Sequence, residues 1–383
     1  MKKHSPIRVW TVFVIVSCLF PRALFPQFAE KYFDGAGPKS AEIRLTILDP
    51  SEESLRAVIG LRTQGFLPDK GLIVIGIFHA EERANYLRAM EYVEKNKMDW
   101  MKFHKLTGEI NARNLFEKNP LTADFRDIFE KSDGIIFLGG YDIPPVVYHQ
   151  KTGLLTQIQT PYRHFLEISF VFHLLGGFQN ESLKPFLDSH PQFPVMGICL
   201  GSQTLNVGSG GTLFQDVWSE IYGKKYLEDV VEIGRENLHK NPWARLYPEE
   251  KLYSVNLHPI RLEASGIFVK ELGYKKTDRP YVRCGHHQAI ARLGKGMKVA
   301  ATSIDGKVID AIEHEKYPNI LGVQFHPEDP VLWDDSLKSR FTPQERDRIS
   351  LRSVLENNPP SFAFHAGIWS WFRGKLDAFH RAK

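Results

Sequence analysis

The sequence predicts an α/β fold in which a mostly parallel central sheet is flanked by helices and carries a nucleophile elbow. Three continuous apolar runs have the length of strands buried on both faces, over residues 71–78, 134–138 and 194–198. Segments with helical spacing follow them, over residues 81–97, 160–175 and 200–207. Strands that alternate with helices indicate a parallel sheet with crossover helices. The third run leads directly into the sequence G-I-C-L-G, which suits a sharp turn between a strand and a helix.

Composition and charge place the chain among ordinary globular proteins. Of its 383 residues, 43% are hydrophobic and 25% are charged, which permits a full core and excludes disorder throughout. The net charge of +4 is slight for this length and gives no reason to expect nucleic acid as a partner. The three cysteines, at Cys18, Cys199 and Cys284, fit neither a zinc motif nor a disulfide framework. A lone cysteine with a histidine further along the chain is instead a candidate nucleophile.

The N-terminus has the pattern of an export signal. A basic start with Lys2 and Lys3 precedes an almost wholly apolar run over residues 9–20, which is short for a bilayer span but typical of a secretory signal. We therefore expect residues 1–30 to be an export signal or N-terminal anchor, and the mature protein to be exported, periplasmic or membrane-anchored. A buried N-terminal helix in a cytoplasmic protein is the alternative. The sequence I-V-S-C ending at Cys18 resembles a loose lipobox, so membrane attachment through a lipid there is a further alternative.

We expect a catalytic domain over residues 31–335 and a helical extension over residues 336–383. Later strands of the domain are predicted over residues 299–303, 308–314 and 320–325. In the extension, apolar residues from Phe362 onward recur at helical spacing beside Trp369 and Trp371. We expect this helix to pack on the body of the protein, with a membrane-surface contact as the alternative.

Cys199 has the surroundings of a catalytic nucleophile. Glycines two positions before and after it let backbones approach closely, and a helix is predicted to begin directly after it. The dipole and the free N–H groups at the start of a helix favour the thiolate form. Because a cysteine in an apolar strand is usually inert core, the assignment depends on the other parts of a catalytic site being present.

Those parts follow two other predicted strands. His326 comes directly after a strand, and Glu328 lies two positions on, where its carboxylate can orient the imidazole as a general base. Gly140 belongs to a turn without side chains after another strand, and its N–H and that of Leu200 are candidate donors to an oxyanion. Since ligand sites of open α/β sheets lie at the carboxyl ends of strands, the conjunction predicts one site.

With these residues in place, the chain resembles the class I glutamine amidotransferase superfamily, whose fold is flavodoxin-like, and most of all its γ-glutamyl hydrolase branch. The similarity covers residues 70 to 330. Its longest motif is V-M-G-I-C-L-G-S-Q-T-L-N-V-G-S-G-G-T-L-F-Q-D over residues 195–216. The others are G-G-Y-D (139–142), H-H-Q-A (286–289), and D-G (305–306) with G-V-Q-F-H-P-E (322–328).

The resemblance implies a role for each matching residue and needs no cofactor. Cys199 would be the nucleophile, His326 the base and Glu328 its partner. Gly140 and Leu200 would donate to the oxyanion. The residues that would contact or shape the pocket of a small γ-glutamyl substrate are Gln203, His286 and His287. The implied chemistry is attack on a γ-glutamyl amide, a glutamyl thioester, and hydrolysis.

Some features depart from the family pattern and bear on the substrate. Leu138 stands where proline usually precedes the two glycines, and residues 146–162 carry extra sequence near the expected mouth of the site. Residues 283–284, R-C, replace the usual N-S, and residues 331–383 match no family motif.

Three functions are compatible with these motifs. The first is a free-standing hydrolase of γ-glutamyl amide or peptide bonds, favoured by the motif matches, by the expected export and by the lack of an attached synthetase domain. The second is a glutaminase subunit or domain that supplies ammonia to a partner synthetase. The third is a non-catalytic envelope binding protein on the same fold, which has no need of an intact triad. The oligomeric state does not follow from the sequence.

A metal site and a disulfide are two further possibilities for the residues near Cys199 and His326. His286 and His287 could form a metal set with His326, but no acidic or thiolate partner has ligand spacing, so the sequence predicts no metal. Cys284 could face Cys199 and form an inactivating disulfide, which would require their Cα atoms to lie close together.

Overall fold

A ten-stranded sheet forms the centre of the computed structural model, which describes residues 28–34 and 42–383. The predicted signal over residues 1–30 and Cys18 lie outside the described residues, apart from residues 28–30. The strands of this sheet are β1 (Ile43–Leu48), β2 (Leu72–His79), β3 (Met101–Leu106), β4 (Gly134–Phe137), β5 (Val195–Ile198), β7 (Asn256–Leu262), β8 (Tyr281–Cys284), β10 (Met297–Ser303), β11 (Ile309–His314) and β12 (Ile320–Val323). Two small ribbons pair β6 (Thr212–Phe214) with β9 (Ala289–Arg292), and β13 (Lys338–Ser339) with β14 (Ile349–Ser350).

The sheet has a parallel half and an antiparallel half. Its strand order is β3-β2-β1-β4-β5-β12-β11-β10-β7-β8. All pairings from β3 to β12 are parallel, and all pairings from β12 to β8 are antiparallel. The prediction of a mostly parallel sheet is confirmed. The antiparallel strands are a feature that apolar runs alone do not reveal, because such runs carry no information about strand direction.

Helices cover both faces of the sheet, as predicted for this fold class. Their bounds are α1 (Glu52–Thr63), α2 (Leu87–Lys95), α3 (Thr122–Lys131), α4 (Pro161–Leu175), α5 (Leu200–Gly208), α6 (Leu227–Val230), α7 (Trp243–Leu246), α8 (Ile267–Lys270), α9 (Leu351–Glu356) and α10 (Ser361–Ala382). The apolar sides of α1, α2 and α10 share one core, and those of α3, α4 and α5 share the other. Alternate residues of β5 enter the two cores, with Met196 on one side and Val195 on the other. This two-sided burial is why the strand is apolar throughout.

The helix expected over residues 81–97 has two parts. Its first turns, Ala80–Tyr86, are a 3₁₀ helix, and the α-helix begins at Leu87. The tighter turns bury the carboxylate of Glu82, which accepts a hydrogen bond from the Tyr162 N–H at 2.9 Å. A tertiary contact of this kind leaves no mark on the spacing of apolar residues, so the change of helix type could not be predicted.

Helix α10 packs on the body of the protein. Its apolar side chains lie in the core beside β5 and β12, and Trp369 is fully buried. The expectation of packing is therefore confirmed for the residues at helical spacing. Among the described residues, none of the helices combines the length and the apolar character that a membrane span requires.

Candidate functional site

Three neighbouring parallel strands, β4, β5 and β12, bring the predicted site residues together. Strands β4 and β12 flank β5, and all three point the same way. The turn containing Gly140 follows β4, Cys199 follows β5, and His326 follows β12. Because the carboxyl ends of parallel strands meet at one edge of a sheet, segments far apart in sequence converge on a single site there.

Cys199 occupies a sharp turn between β5 and α5. Its backbone has φ +52° and ψ −104°, a conformation that a residue with a side chain rarely adopts. Its N–H donates to the carbonyl of Val323 at 2.7 Å, which fixes the turn against β12. A Cβ on Gly201 would lie 2.0 Å from the carbonyl oxygen of Phe137, and one on Gly197 would lie 2.5 Å from that of Gly201. The glycines around the cysteine are therefore required by close backbone approach, as the elbow predicted.

His326 is oriented by Glu328 across a short hydrogen bond. Its Nδ1–H donates to the Glu328 Oε1 at 2.8 Å, and its backbone N–H donates to the carbonyl of Arg283 at 3.0 Å. Burial alone would lower the pKa of His326, but the Glu328 carboxylate and then Cys199 raise it to about 10. A Cβ on Gly139 would lie 3.0 Å from His326 Cε1 and 3.7 Å from Cys199 Cβ, so imidazole and thiol share the space beside this glycine.

Arg163 on α4 supports the glycine turn after β4, although it belongs to none of the sequence motifs. Its Nη2 donates to the carbonyls of Leu138 at 3.0 Å and Gly139 at 2.9 Å. A Cβ on Gly140 would lie 2.2 Å from Arg163 Nη1, so a side chain at that position would displace the guanidinium. The buried guanidinium is held by Asp49 at 3.0 Å and by Glu167 at 2.7 Å. The sequence signal for this contact was an arginine and a glutamate four positions apart within a largely apolar helix.

The Gly140 N–H is a free donor in this turn. Among the described residues it donates to no protein group, and the Leu200 N–H, at the first position of α5, likewise has none. Both were predicted to face an oxyanion, and that role stays a prediction.

Gln203 and Gln324 form a buried amide pair beside the thiol. Gln203 Nε2 donates to Gln324 Oε1 at 3.1 Å, and Gln324 Nε2 lies 3.6 Å from Cys199 Sγ. The side chain of Gln203 therefore bonds within the protein, and Gln324 lies between it and the sulfur of Cys199. Its predicted contact with a glutamyl group stays a prediction, and Gln324, which belongs to the G-V-Q-F-H-P-E motif, is an additional neighbour of the thiol.

His287 joins three of the sequence motifs in one ionic cluster. Its Nε2–H donates to Asp142 at 3.0 Å and its Nδ1–H to Asp216 at 3.3 Å. Burial would lower the pKa of His287, but the hydrogen bonds and charges of Asp142 and Asp216 raise it to about 9. The G-G-Y-D, F-Q-D and H-H-Q-A segments therefore meet through side-chain contacts.

The extra segment over residues 146–162 is tied to the same place. Gln215 accepts hydrogen bonds from Gly153 N–H at 2.7 Å and Thr156 Oγ1 at 2.8 Å, and Asp142 accepts from Gln157 N–H at 2.7 Å. The segment also presents several exposed apolar side chains, among them Val146, Leu154, Leu155 and Ile158. It is thus a fixed wall beside the His287 cluster rather than a distant insertion.

The two histidines of the H-H-Q-A segment face different places. His286 is buried against His239, with ring centroids 5.0 Å apart, whereas His287 takes part in the ionic cluster. Cys284 and Cys199 are both free thiols, and Cys284 Sγ lies 2.8 Å from His258 Nε2. The structure thus contains no Cys199–Cys284 disulfide among the described residues, and the substrate contact predicted for His286 stays a prediction.

The fold and the arrangement of these residues are those of the class I glutamine amidotransferase-like superfamily. The chain belongs to the peptidase C26 family, because the sequence model of that family matches residues 74–328, more than half of the chain. The matched span begins in β2 and ends at Glu328, so it includes all three strands that converge on Cys199.

Several known proteins are similar to part of this chain, and some of them are named as glutamine amidotransferases. Rv2859c of Mycobacterium tuberculosis, whose name assigns it provisionally to these enzymes, is 32% identical over 201 residues, which cover 52% of this chain and 52% of the relative. The glutamine amidotransferase-like protein YvdE of Lactococcus lactis is 27% identical over 207 residues, 54% of this chain and 70% of the relative. Anthranilate synthase beta subunit 2 of Arabidopsis thaliana is 27% identical over 147 residues, 38% and 42% respectively. The chain therefore spans about half the length of the Mycobacterium protein.

Proposed function

We propose that this protein hydrolyses γ-glutamyl amide or peptide bonds through a glutamyl thioester on Cys199. The observation that carries the proposal is the pair of His326 and Glu328, hydrogen-bonded at 2.8 Å, on the strand next to the one that presents Cys199. A thiol, an oriented base and a side-chain-free turn are the parts that acyl transfer requires.

The first half of the reaction is acyl transfer to sulfur. The Cys199 thiolate attacks the γ-carbonyl carbon, and the carbonyl oxygen takes up the negative charge between the N–H groups of Gly140 and Leu200. As the C–N bond breaks, the His326 imidazolium gives its proton to the leaving amine. The products are a free amine and a glutamyl thioester on Cys199.

The second half is hydrolysis of the thioester. Neutral His326 takes a proton from a water molecule, whose oxygen attacks the thioester carbonyl. The C–S bond breaks, glutamate leaves, and the thiolate and imidazolium are restored. Glu328 keeps its position throughout, holding the ring and stabilising its charged form.

Recognition of the leaving group falls to the His287 cluster and the wall beside it. The wall over residues 146–162 is bonded to Asp142 and Gln215, and its apolar side chains are exposed. We infer that amines or peptides with an apolar portion fit here better than ammonia, which makes γ-glutamyl amines and peptides better substrates than free glutamine. Loops at the ends of strands line such sites in α/β enzymes.

The decisive experiment is steady-state kinetics of the purified full chain on glutamine and on a panel of γ-glutamyl amines and peptides, with amine and glutamate release both measured. Mass spectrometry of a quenched reaction should detect the glutamyl adduct on the peptide that contains Cys199. Cys199→Ala is the matched inactive variant. Turnover by Cys199→Ala at the wild-type rate, or an adduct on another residue, would contradict the proposal.

A second candidate function is a glutaminase that supplies ammonia to a partner. The similarity to anthranilate synthase beta subunit 2 and to the CTP synthase of Picosynechococcus supports it. The same kinetics separate the two functions. Silence on the whole panel, with glutaminase activity that appears only when a second protein is added, would favour the ammonia-supplying function.

A further inference from the structure

A second group of chemically competent side chains lies buried beside the Cys199 site. It comprises His239 in the loop before α7, His258 on β7, Cys284 at the end of β8, His286 just after it, and Asp310 on β11. All but His286 have no exposed surface, and His286 is 5% exposed. The mechanism proposed above uses none of their imidazole, thiol or carboxyl groups apart from the pocket role expected for His286.

Most of the polar atoms in this cluster lack protein partners. Within the described residues, neither ring nitrogen of His239, neither carboxyl oxygen of Asp310, nor Nε2 of His286 has a hydrogen bond. A buried polar group left unpaired costs about 1–3 kcal/mol, and an ionised carboxylate costs more. Three adjacent side chains with the same deficit indicate that something else satisfies them.

The donor atoms form two overlapping triads, each compact enough to hold one ion. Two triads, His239–His258–Asp310 and Cys284–His286–Asp310, each have their donor atoms within 4.8 Å of one another, and they share Asp310. His258 Nε2 joins the triads, because it lies 2.8 Å from Cys284 Sγ and 3.8 Å from Asp310 Oδ1. Donors at ~2.0–2.3 Å from a tetrahedral zinc ion are roughly 3.3–3.8 Å apart, so small side-chain movements suffice.

We propose that this cluster binds one divalent metal ion of the zinc class. Imidazole nitrogen, thiolate sulfur and carboxylate oxygen are the donors that zinc takes in proteins, and a thiolate disfavours magnesium or calcium. Asp310 and Cys284 supply the acidic and thiolate ligands that no short sequence spacing contains. The sequence predicts no metal, and the set of His286, His287 and His326 that it sets aside is not assembled by the fold either, since His287 contacts Asp142 and Asp216 and His326 contacts Glu328.

The role of the ion is structural, because the cluster is closed to solvent and offers no open coordination position to a substrate. Two backbone hydrogen bonds connect the ligand strands to the Cys199 site. The His326 N–H donates to the carbonyl of Arg283, next to Cys284, at 3.0 Å. The Gln324 N–H donates to the carbonyl of Asp310 itself at 2.8 Å. Tying β7, β8 and β11 together would thus fix the segment that carries His326.

The test uses metal content and cobalt spectroscopy, and does not depend on activity. Untagged full-length protein should contain close to one zinc ion per chain. After removal of zinc with a chelator and addition of Co²⁺, it should show the intense charge-transfer absorption of a thiolate–cobalt bond. The control variant carries Cys18→Ala and Cys199→Ser, which leaves Cys284 as its only thiol. It should keep both the metal and the absorption band.

Cys284→Ser should lose the band, and Asp310→Asn should release the metal at lower chelator concentrations. If Cys284→Ser fails to fold, the double variant still assigns the thiolate by elimination. Protein that holds no zinc and gives no absorption band after refolding with metal would overturn the proposal. The side chains of the cluster would then be uncharged and bind no ion. Loss of the band in the Cys18→Ala, Cys199→Ser variant would overturn it as well, because the thiolate would then lie elsewhere.

Discussion

The indole Nε1–H of Trp369 donates to the backbone carbonyl of Pro327 at 2.9 Å, inside the core. Pro327 stands between His326 and Glu328, so helix α10 holds the segment that carries both. A helix that shares no motif with the family is therefore in direct contact with the backbone of the proposed base and its partner. Each side chain is oriented by the other, and the peptide between them is oriented by Trp369.

We predict that Trp369→Phe lowers kcat about tenfold or more, because small displacements of a catalytic group are costly. Leaving the Pro327 carbonyl unpaired should also lower the free energy of unfolding by about 1–3 kcal/mol. Trp371→Phe, on the same helix, is the matched control, since the Trp371 indole donates to Glu271 at the end of α8 at 2.9 Å rather than to the segment that carries His326. Measuring kcat and denaturant unfolding for both variants shows whether the Trp369 hydrogen bond affects catalysis or stability alone. Equal losses of kcat in the two would show that the helix matters only for stability.

Replacing Arg163 by lysine should disturb the turn that carries Gly140. Lysine keeps the charge but cannot donate in a planar fork to both backbone carbonyls. We expect kcat to fall by about 10–100-fold, with a smaller change in KM, because the turn is used as charge develops on oxygen. Arg44→Lys is the control, because that buried arginine also donates to a backbone carbonyl, that of Lys131. It lies near the amino end of β1, whereas the site lies at the carboxyl ends of the strands. An unchanged kcat in Arg163→Lys would remove Arg163 from the site.

The charge on Glu328 should set the alkaline limit of activity. The pKa of His326 is raised from 6.5 to about 10, so the imidazolium that protonates the leaving amine should persist until the pH approaches 10. Glu328→Gln removes the largest of the raising causes, so the alkaline limb of kcat/KM should move to lower pH. His326→Asn should cost on the order of 10³-fold or more, nearly as much as Cys199→Ala. Glu30→Gln, which removes a buried carboxylate beside β3, should leave the limb in place.

The raised pKa of His326 should also make the stability of the protein depend on pH. A histidine whose pKa is raised on folding stabilises the protein fully below pH 6.5 and loses that contribution as the pH rises toward 10. Wild-type protein should therefore lose stability over this window more steeply than Glu328→Gln. Urea unfolding across the window measures the difference. Parallel pH curves for the two proteins would contradict the assigned coupling.

Gln215→Ala should change the preference among leaving groups. It removes the acceptor for Gly153 and Thr156 and frees the wall over residues 146–162. We expect the ratio of kcat/KM between bulky and small γ-glutamyl amines to change several-fold, about the loss of a kcal/mol of contact. Gln179→Ala is the control, since that side chain ties a loop to the Val207 carbonyl at the far end of α5. If the ratio of kcat/KM is unchanged in Gln215→Ala, residues 146–162 do not determine which leaving group is preferred.

The N-terminal pattern predicts that mature protein lies outside the cytoplasm, with residues before about 30 removed or membrane-anchored. N-terminal sequencing of native protein decides this. Intact Met1 in a soluble cytoplasmic fraction would refute export. An unchanged membrane partition of Cys18→Ala would refute lipidation.

The sequence was most informative where a function depends on a local segment at a strand end. Cys199 and the His326–Glu328 pair each lie in a short motif directly after an apolar run, so their convergence follows from strand order alone. Arg163 and Trp369 act on backbone carbonyls 25 and 42 positions away, and no periodicity encodes such contacts. The buried cluster around Asp310 was out of reach for the same reason, because its members come from four segments with no common spacing.

The order of synthesis gives the Trp369 contact a further meaning. A chain grows from its N-terminus, so the thiol of Cys199 is made first, His326 later, and α10 later still. A nascent chain on the ribosome can present the sulfur before the peptide that carries its base is held in place. The peptide that carries the proposed base is therefore held by Trp369 only after the last helix has been made and has docked.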